Sequence, residues 1–181
     1  MDSELPYLKI QFILFCKMTG YIKNFEFEKP PKKMTYLDDE PLELTEDFVF
    51  FHNKSKIRKS LNRLQYLFKS YTKNPLLALG IRDSLLKKEF TEKFLIILFT
   101  TPEVVEDTNR IIEKNSNITL IEGAYYLTTT SRFMLLLARD LKGINSGVNT
   151  MEEILKQILE DYFGKKNFEE FIKIRQFKLF N

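Results

Sequence analysis

The sequence predicts a single α/β domain built as a three-layer sandwich. Its central sheet is mixed, with an antiparallel hairpin at the N-terminal end, a parallel βαβαβα portion and a helical C-terminus. Three observations lead there. Apolar residues alternate with period two near the N-terminus, the mark of a strand with one dry face. Between residues 75 and 142 short, wholly apolar runs alternate with amphipathic ones, the grammar of buried parallel strands joined by helices. A chain of 181 residues, 44% hydrophobic and 29% charged, has the length and make-up of one globular domain.

Leu8, Ile10, Phe12, Leu14 and Cys16 fall on one side of a strand over 7–17, and the alternation resumes over 23–28. A hairpin turning near Gly20 is therefore expected. Lys29-Pro30-Pro31-Lys32-Lys33 interrupts regular structure, because neither proline donates to a ladder. With the acidic loop over 35–47 it makes 29–47 the one plausible seam in a domain covering 1–181. Asp47 to Phe51 reads as a third strand. Ile57, Leu61, Leu64, Phe68 and Tyr71 then recur at three- and four-residue steps, one face of a helix over 55–71 that Asn74-Pro75 ends.

Strand Leu76 to Ile81, a helix capped by Asp83 through Lys93, and strand Phe94 to Phe99 follow. Thr101-Pro102 opens the next helix with a capping hydroxyl and proline at the first helical position. Its inner face is Val104, Val105, Thr108, Ile111 and Ile112. Ile118 to Ile121 reads as a strand closed by Glu122-Gly123, and a helix is expected within 124–142 around the apolar centre Phe133 to Ala138. Thr150-Met151-Glu152-Glu153 fits a capping box that opens a helix ending at Gly164. The remainder completes a helical extension over 149–181, and its apolar tail at 168–180 needs a surface to dock on, in its own domain or in a second copy.

Several chemistries are disfavoured. One Cys and one His, Cys16 and His52, do not supply four soft ligands for zinc or a Cys–His relay, and no Gly-x-Ser-x-Gly elbow is present. No GxGxxG or GxxxxGK[ST] follows a strand, and Glu103, Glu106 and Asp107 would repel a phosphate at their helix N-terminus, so no cofactor is expected. The chain opens on acidic residues and lacks a long uninterrupted apolar run, which points to the reducing cytoplasm and away from the membrane. Abundant ionisable groups beside few Gln and Cys hint at a thermophile.

Two places draw attention. The first is the shelf where the expected parallel strands end, carrying Asp83, Thr100, Thr101, Glu103 and Glu122, because open α/β sheets gather ligands there. Oxygen ligands of this kind suit Mg²⁺ or Mn²⁺. The same residues are also what helix N-termini use for capping. The stretch from Phe94 to Leu127 resembles the closing portion of restriction-endonuclease-like domains of the Mrr type. There a strand ends in a threonine-rich turn, here Thr100-Thr101, and a later strand ends in a motif similar to Leu120-Ile121-Glu122-Gly123. The resemblance implies a nuclease-derived core. The family's Asp/Glu-x-Lys signature is matched in spacing only by Asp140-Leu141-Lys142, placed in a helix rather than on a strand, so catalytic residues are not expected.

The second is charge. Residues 52–82 carry +8 with no acidic residue: Lys54, Lys56, Arg58, Lys59, Arg63, Lys69, Lys73 and Arg82. On the 55–71 helix the cations fall opposite the apolar stripe, as phosphate contact requires. Such a face is equally a solvated one, or a partner for the acids at 38–47. Lys54, Arg58, Lys59, Arg63, Lys69 and Lys73 are therefore the candidate nucleic-acid contacts of a non-catalytic, nuclease-like protein. The alternatives are a homodimer or other protein-docking module using the C-terminal helices, and a metal-dependent hydrolase using Asp83, Glu103 and Glu122.

Overall fold

A computed structural model describes residues 21–44, 48–72, 78–80, 93–99, 105–164 and 171–181. In chain order the elements are β1 (Lys33–Tyr36), β2 (Leu42–Leu44), β3 (Val49–His52), a 3-10 turn (Ser55–Ile57), α1 (Arg58–Thr72), β4 (Ala78–Gly80), β5 (Phe94–Phe99), α2 (Val105–Lys114), β6 (Tyr125–Thr129), β7 (Phe133–Ala138), α3 (Leu141–Gly164), β8 (Ile172–Ile174) and β9 (Phe177–Phe180). Seven strands form one sheet in the order β1-β9-β6-β7-β5-β3-β4, and β2 pairs with β8 apart from it.

The expected parallel βαβαβα run is overturned. Apart from the parallel β3–β4 pair, every ladder among the described residues is antiparallel: β3–β5, β5–β7, β6–β7, β6–β9, β1–β9 and β2–β8. Phe133 to Ala138, expected as a helix centre, is the central strand β7. Its register with β5 runs from Phe94 against Ala138 to Phe99 against Phe133. The physical reason is double burial. Met134, Leu136 and Ala138 join the core on one face of the sheet while Leu135 and Leu137 join the core on the other. A strand dry on both sides shows no alternation, so periodicity alone does not separate it from a buried helix. The β6–β7 turn also lacks glycine and proline. Thr130 makes it, its Oγ1 accepting from the Phe133 amide at 3.2 Å while its own amide donates to the Phe133 carbonyl at 2.9 Å.

The helical C-terminal extension is likewise corrected beyond Gly164. β8 and β9 alternate, burying Ile172, Ile174, Phe177 and Leu179. Residues 118–121 form no strand, and 21–28 lack one too. The rest of the N-terminal hairpin and the helix expected from Asp83 lie outside the described residues. β1 and β2, within the suspected seam, are stitched to β9 and β8 by their ladders.

α3 begins at Leu141, not at Thr150. Asp140 caps it, Oδ1 accepting from the Gly143 amide at 2.7 Å and Oδ2 from the Gly123 amide at 2.8 Å. These amides, Gly143 first, hold the Asp140 carboxyl below its ordinary range. Thr150 sits within the helix with its hydroxyl 2.5 Å from that of Tyr125. Gly143 and Gly147 let α3 lie close to the sheet: a Cβ would collide with the Ala124 carbonyl oxygen at the first and with Leu136 at the second.

The larger core lies between the sheet and α1 plus α3. Ile57, Leu61, Leu64 and Phe68 meet Phe50, Ile96 and Leu98, together with Val148, Met151, Leu155 and Leu159 of α3. Each such side chain contributes about 1.5–3 kcal/mol on leaving water. Ile111 and Ile112 of α2 cover part of the opposite face, over Leu95, Ile97 and Leu135. One side chain ties β3 to β5: Asn53 donates to the Lys93 carbonyl at 2.6 Å and accepts from the Leu95 amide at 3.0 Å.

Candidate nucleic-acid interface

α1 owes its position to its apolar stripe, which is fully buried at Leu61, Leu64 and Phe68. The Phe68 ring lies 4.9 Å from that of Phe48 and 6.0 Å from that of Phe50, centroid to centroid. That seating fixes which side faces out. At about 100° per residue, the direction opposite the stripe is centred on Tyr66, with Lys59, Asn62, Lys69 and Ser70 around it. All five are exposed, Tyr66 to 68%.

The predicted cations divide into three groups. Arg58, Lys59 and Lys69 are exposed, and no carboxylate among the described residues pairs with them; Lys56, on the preceding 3-10 turn, is exposed too. Arg63 is turned aside. One of its guanidinium nitrogens donates to Asn149 Oδ1 at 2.6 Å and the other pairs with Glu152, so α3 neutralises it although it stays 52% exposed. Lys54 is half-buried, its ammonium 6.0 Å from the Phe94 ring centroid. Lys73 lies outside the described residues.

Two of the acids expected to cover this face, Asp38 and Glu43, are engaged elsewhere. Asp38 accepts from Arg175 at 2.7 Å, and that guanidinium also lies 4.7 Å from the Tyr36 ring centroid. Glu43 pairs with Lys173 at 3.9 Å across the β2–β8 ladder. Glu46 and Asp47 are outside the described residues. α1 does have an acidic neighbour in α3, which runs alongside it in the same direction. Ser60 meets Asn145, Arg63 meets Asn149 and Glu152, and Tyr71 donates to Glu160 at 3.4 Å. Partial burial and then Glu160 raise the Tyr71 phenol pKa.

Of the strand-end shelf, Glu122 alone falls among the described residues. Asp83, Thr100, Thr101 and Glu103 lie outside the described residues. Glu122 sits not at the end of a parallel strand but in the turn before β6, whose Gly123 has φ of 74°. With Lys32, Lys142 and Ser146 it lines a cleft of about 210 Å³. No group of three or more His, Cys, Asp or Glu among the described residues is placed to hold a metal ion. Asp140, of the one Asp-x-Lys sequence, is a helix cap. His52 is buried, and its Nδ1 donates to the Lys54 carbonyl at 3.0 Å; burial lowers its pKa. Cys16 is outside the described residues.

Tyr66 is the residue that charge counting passed over. The signal was on the helical wheel: an aromatic stands where the period asks for a polar side chain. No helix among the described residues is long and apolar enough to cross a membrane. No family model matches the chain, and neither a curated protein nor a solved structure does.

Proposed function

We propose that this protein binds nucleic acid without cleaving it, through the outer face of α1, in the cytoplasm. The observation that supports this is the exposed presentation of Arg58, Lys59 and Lys69, unpaired with any carboxylate among the described residues, on one side of a helix seated on the core. Cations on a solvent face gain from releasing the counterions condensed on a phosphate backbone, and that gain needs no base reading. The pairing of Asp38 and Glu43 with the C-terminal strands keeps those carboxylates off α1. Catalysis has no part in the proposal: the Asp/Glu-x-Lys cluster of the nuclease-like family is missing from 94–127, and Asp140 spends its oxygens on the amides of Gly143 and Gly123.

Docking through the C-terminal segment is less favoured, because Ile172, Ile174, Phe177 and Leu179 are already buried in the chain's own sheets. The test is fluorescence polarisation of labelled 20-nucleotide DNA and RNA at low salt, with wild type and K59E/K69E. Both substitutions lie on the solvent side, so circular dichroism should be unchanged. Wild type should bind and the double variant should not. Absence of binding by wild type, or full binding by the variant, refutes the proposal.

A further inference from the structure

Tyr66 occupies the centre of the α1 outer face, 68% exposed, with a cation on either side along the helix. At 1.5 Å per residue, Lys59 lies about 10 Å before it and Lys69 about 4.5 Å beyond it along the axis. A large aromatic ring gains little from water there, and its open face is a stacking surface for a flat ring.

The surroundings of α1 discriminate between one strand and two. Its inner half is seated on the sheet, and α3 flanks it at the ordinary helix-packing distance of about 8–10 Å. A helix that enters a major groove about 12 Å wide has a phosphate rail on each side. Here one rail would pass over α3, where the Arg63–Glu152 and Lys156–Glu160 ion pairs offer it no net positive charge. A single strand needs one rail only, and its unpaired bases are free to stack. We infer that α1 takes single-stranded nucleic acid, with Tyr66 stacking on a base and Arg58, Lys59 and Lys69 meeting the phosphates. This rests on the proposed nucleic-acid binding and specifies the ligand of that same face.

The test compares a 20-nucleotide oligo-dT strand with a 20-base-pair duplex for wild type, Y66A, Y66W and K59E/K69E. The single strand should bind about tenfold or more tightly than the duplex at the same salt. Y66A should weaken single-strand binding by about tenfold and leave duplex binding unchanged, in line with the loss of one base–aromatic stack. The chain has no tryptophan, so Y66W introduces a sole indole, and its emission should be quenched by oligo-dT. Equal affinity for strand and duplex overturns the inference, as does a Y66A variant that binds like wild type, or an unquenched Y66W. If K59E/K69E still abolishes binding in those cases, the basic face stands and only the stacking role falls. No binding of either nucleic acid, with polyglutamate captured in its place through Lys59 and Lys69, overturns both and makes the partner an acidic protein.

Discussion

The salt dependence of binding separates cations that are free from one that is already spent. Arg58, Lys59 and Lys69 are exposed and lack carboxylate partners among the described residues, whereas Arg63 is held by Asn149 and Glu152 of α3. Each phosphate neutralised on a single strand contributes about −0.7 to the slope of log K against log salt. Three cations therefore give a slope of about −2, and affinity should fall about 20-fold between 50 and 200 mM salt. K59Q or K69Q should each reduce the slope by about 0.7. R63Q should leave it unchanged, and should change stability by less than about 1 kcal/mol because its ion pair is surface-exposed. The assay is polarisation of labelled oligo-dT across a salt series for each variant. An R63Q slope lowered as far as that of K59Q would refute the reasoning, since the guanidinium would then be leaving Glu152 to meet phosphate.

Other outcomes check the fold that presents this face. F68A should lose about 3–5 kcal/mol, read from the urea midpoint, because Phe68 is fully buried against Phe48 and Phe50. A loss below 1 kcal/mol would mean that α1 is not seated as described. Asp140 has its carboxyl held low by two glycine amides, so its contribution is present above about pH 4 and lost as pH falls through the folded value. D140A should cost about 1 kcal/mol at pH 7 as a lost cap. The stability difference between wild type and D140N should shrink as pH falls from 7 to 2.5, and a difference that stays constant over that range contradicts the assignment. G147A should destabilise despite a helix-propensity gain of about 1 kcal/mol, because its Cβ meets Leu136. G164A, with open space around the added carbon, should not destabilise, and thermal melts of the pair check both.

Several elements were legible in residue order. The 55–71 helix, strand Phe94 to Phe99 and the helix through Ile111 and Ile112 each have an unambiguous period or length. The tail forms strands where a helix is expected, and its alternation is visible in the chain: Lys173 and Lys178 interrupt the buried Ile172, Ile174, Phe177 and Leu179. The capping-box pattern at Thr150 places the start of α3 too late, because the true cap, Asp140, is fixed by its contacts with the Gly143 and Gly123 amides. Gly143 and Gly147 are the points where the helix touches Ala124 and Leu136. At the candidate site, the cations of α1 were readable from the wheel. Which of them stay unpaired was not, because Glu152 lies 89 residues from Arg63 along the chain.

Local sequence determined where this chain forms its amphipathic helix and which side of that helix is basic, since period and side-chain type are properties of neighbouring residues. Tertiary structure decided strand direction, the double burial of β7, and the fate of each charge. Hydrogen-bond ladders and ion pairs join residues far apart in the chain, and their geometry exists only once the sheet has assembled.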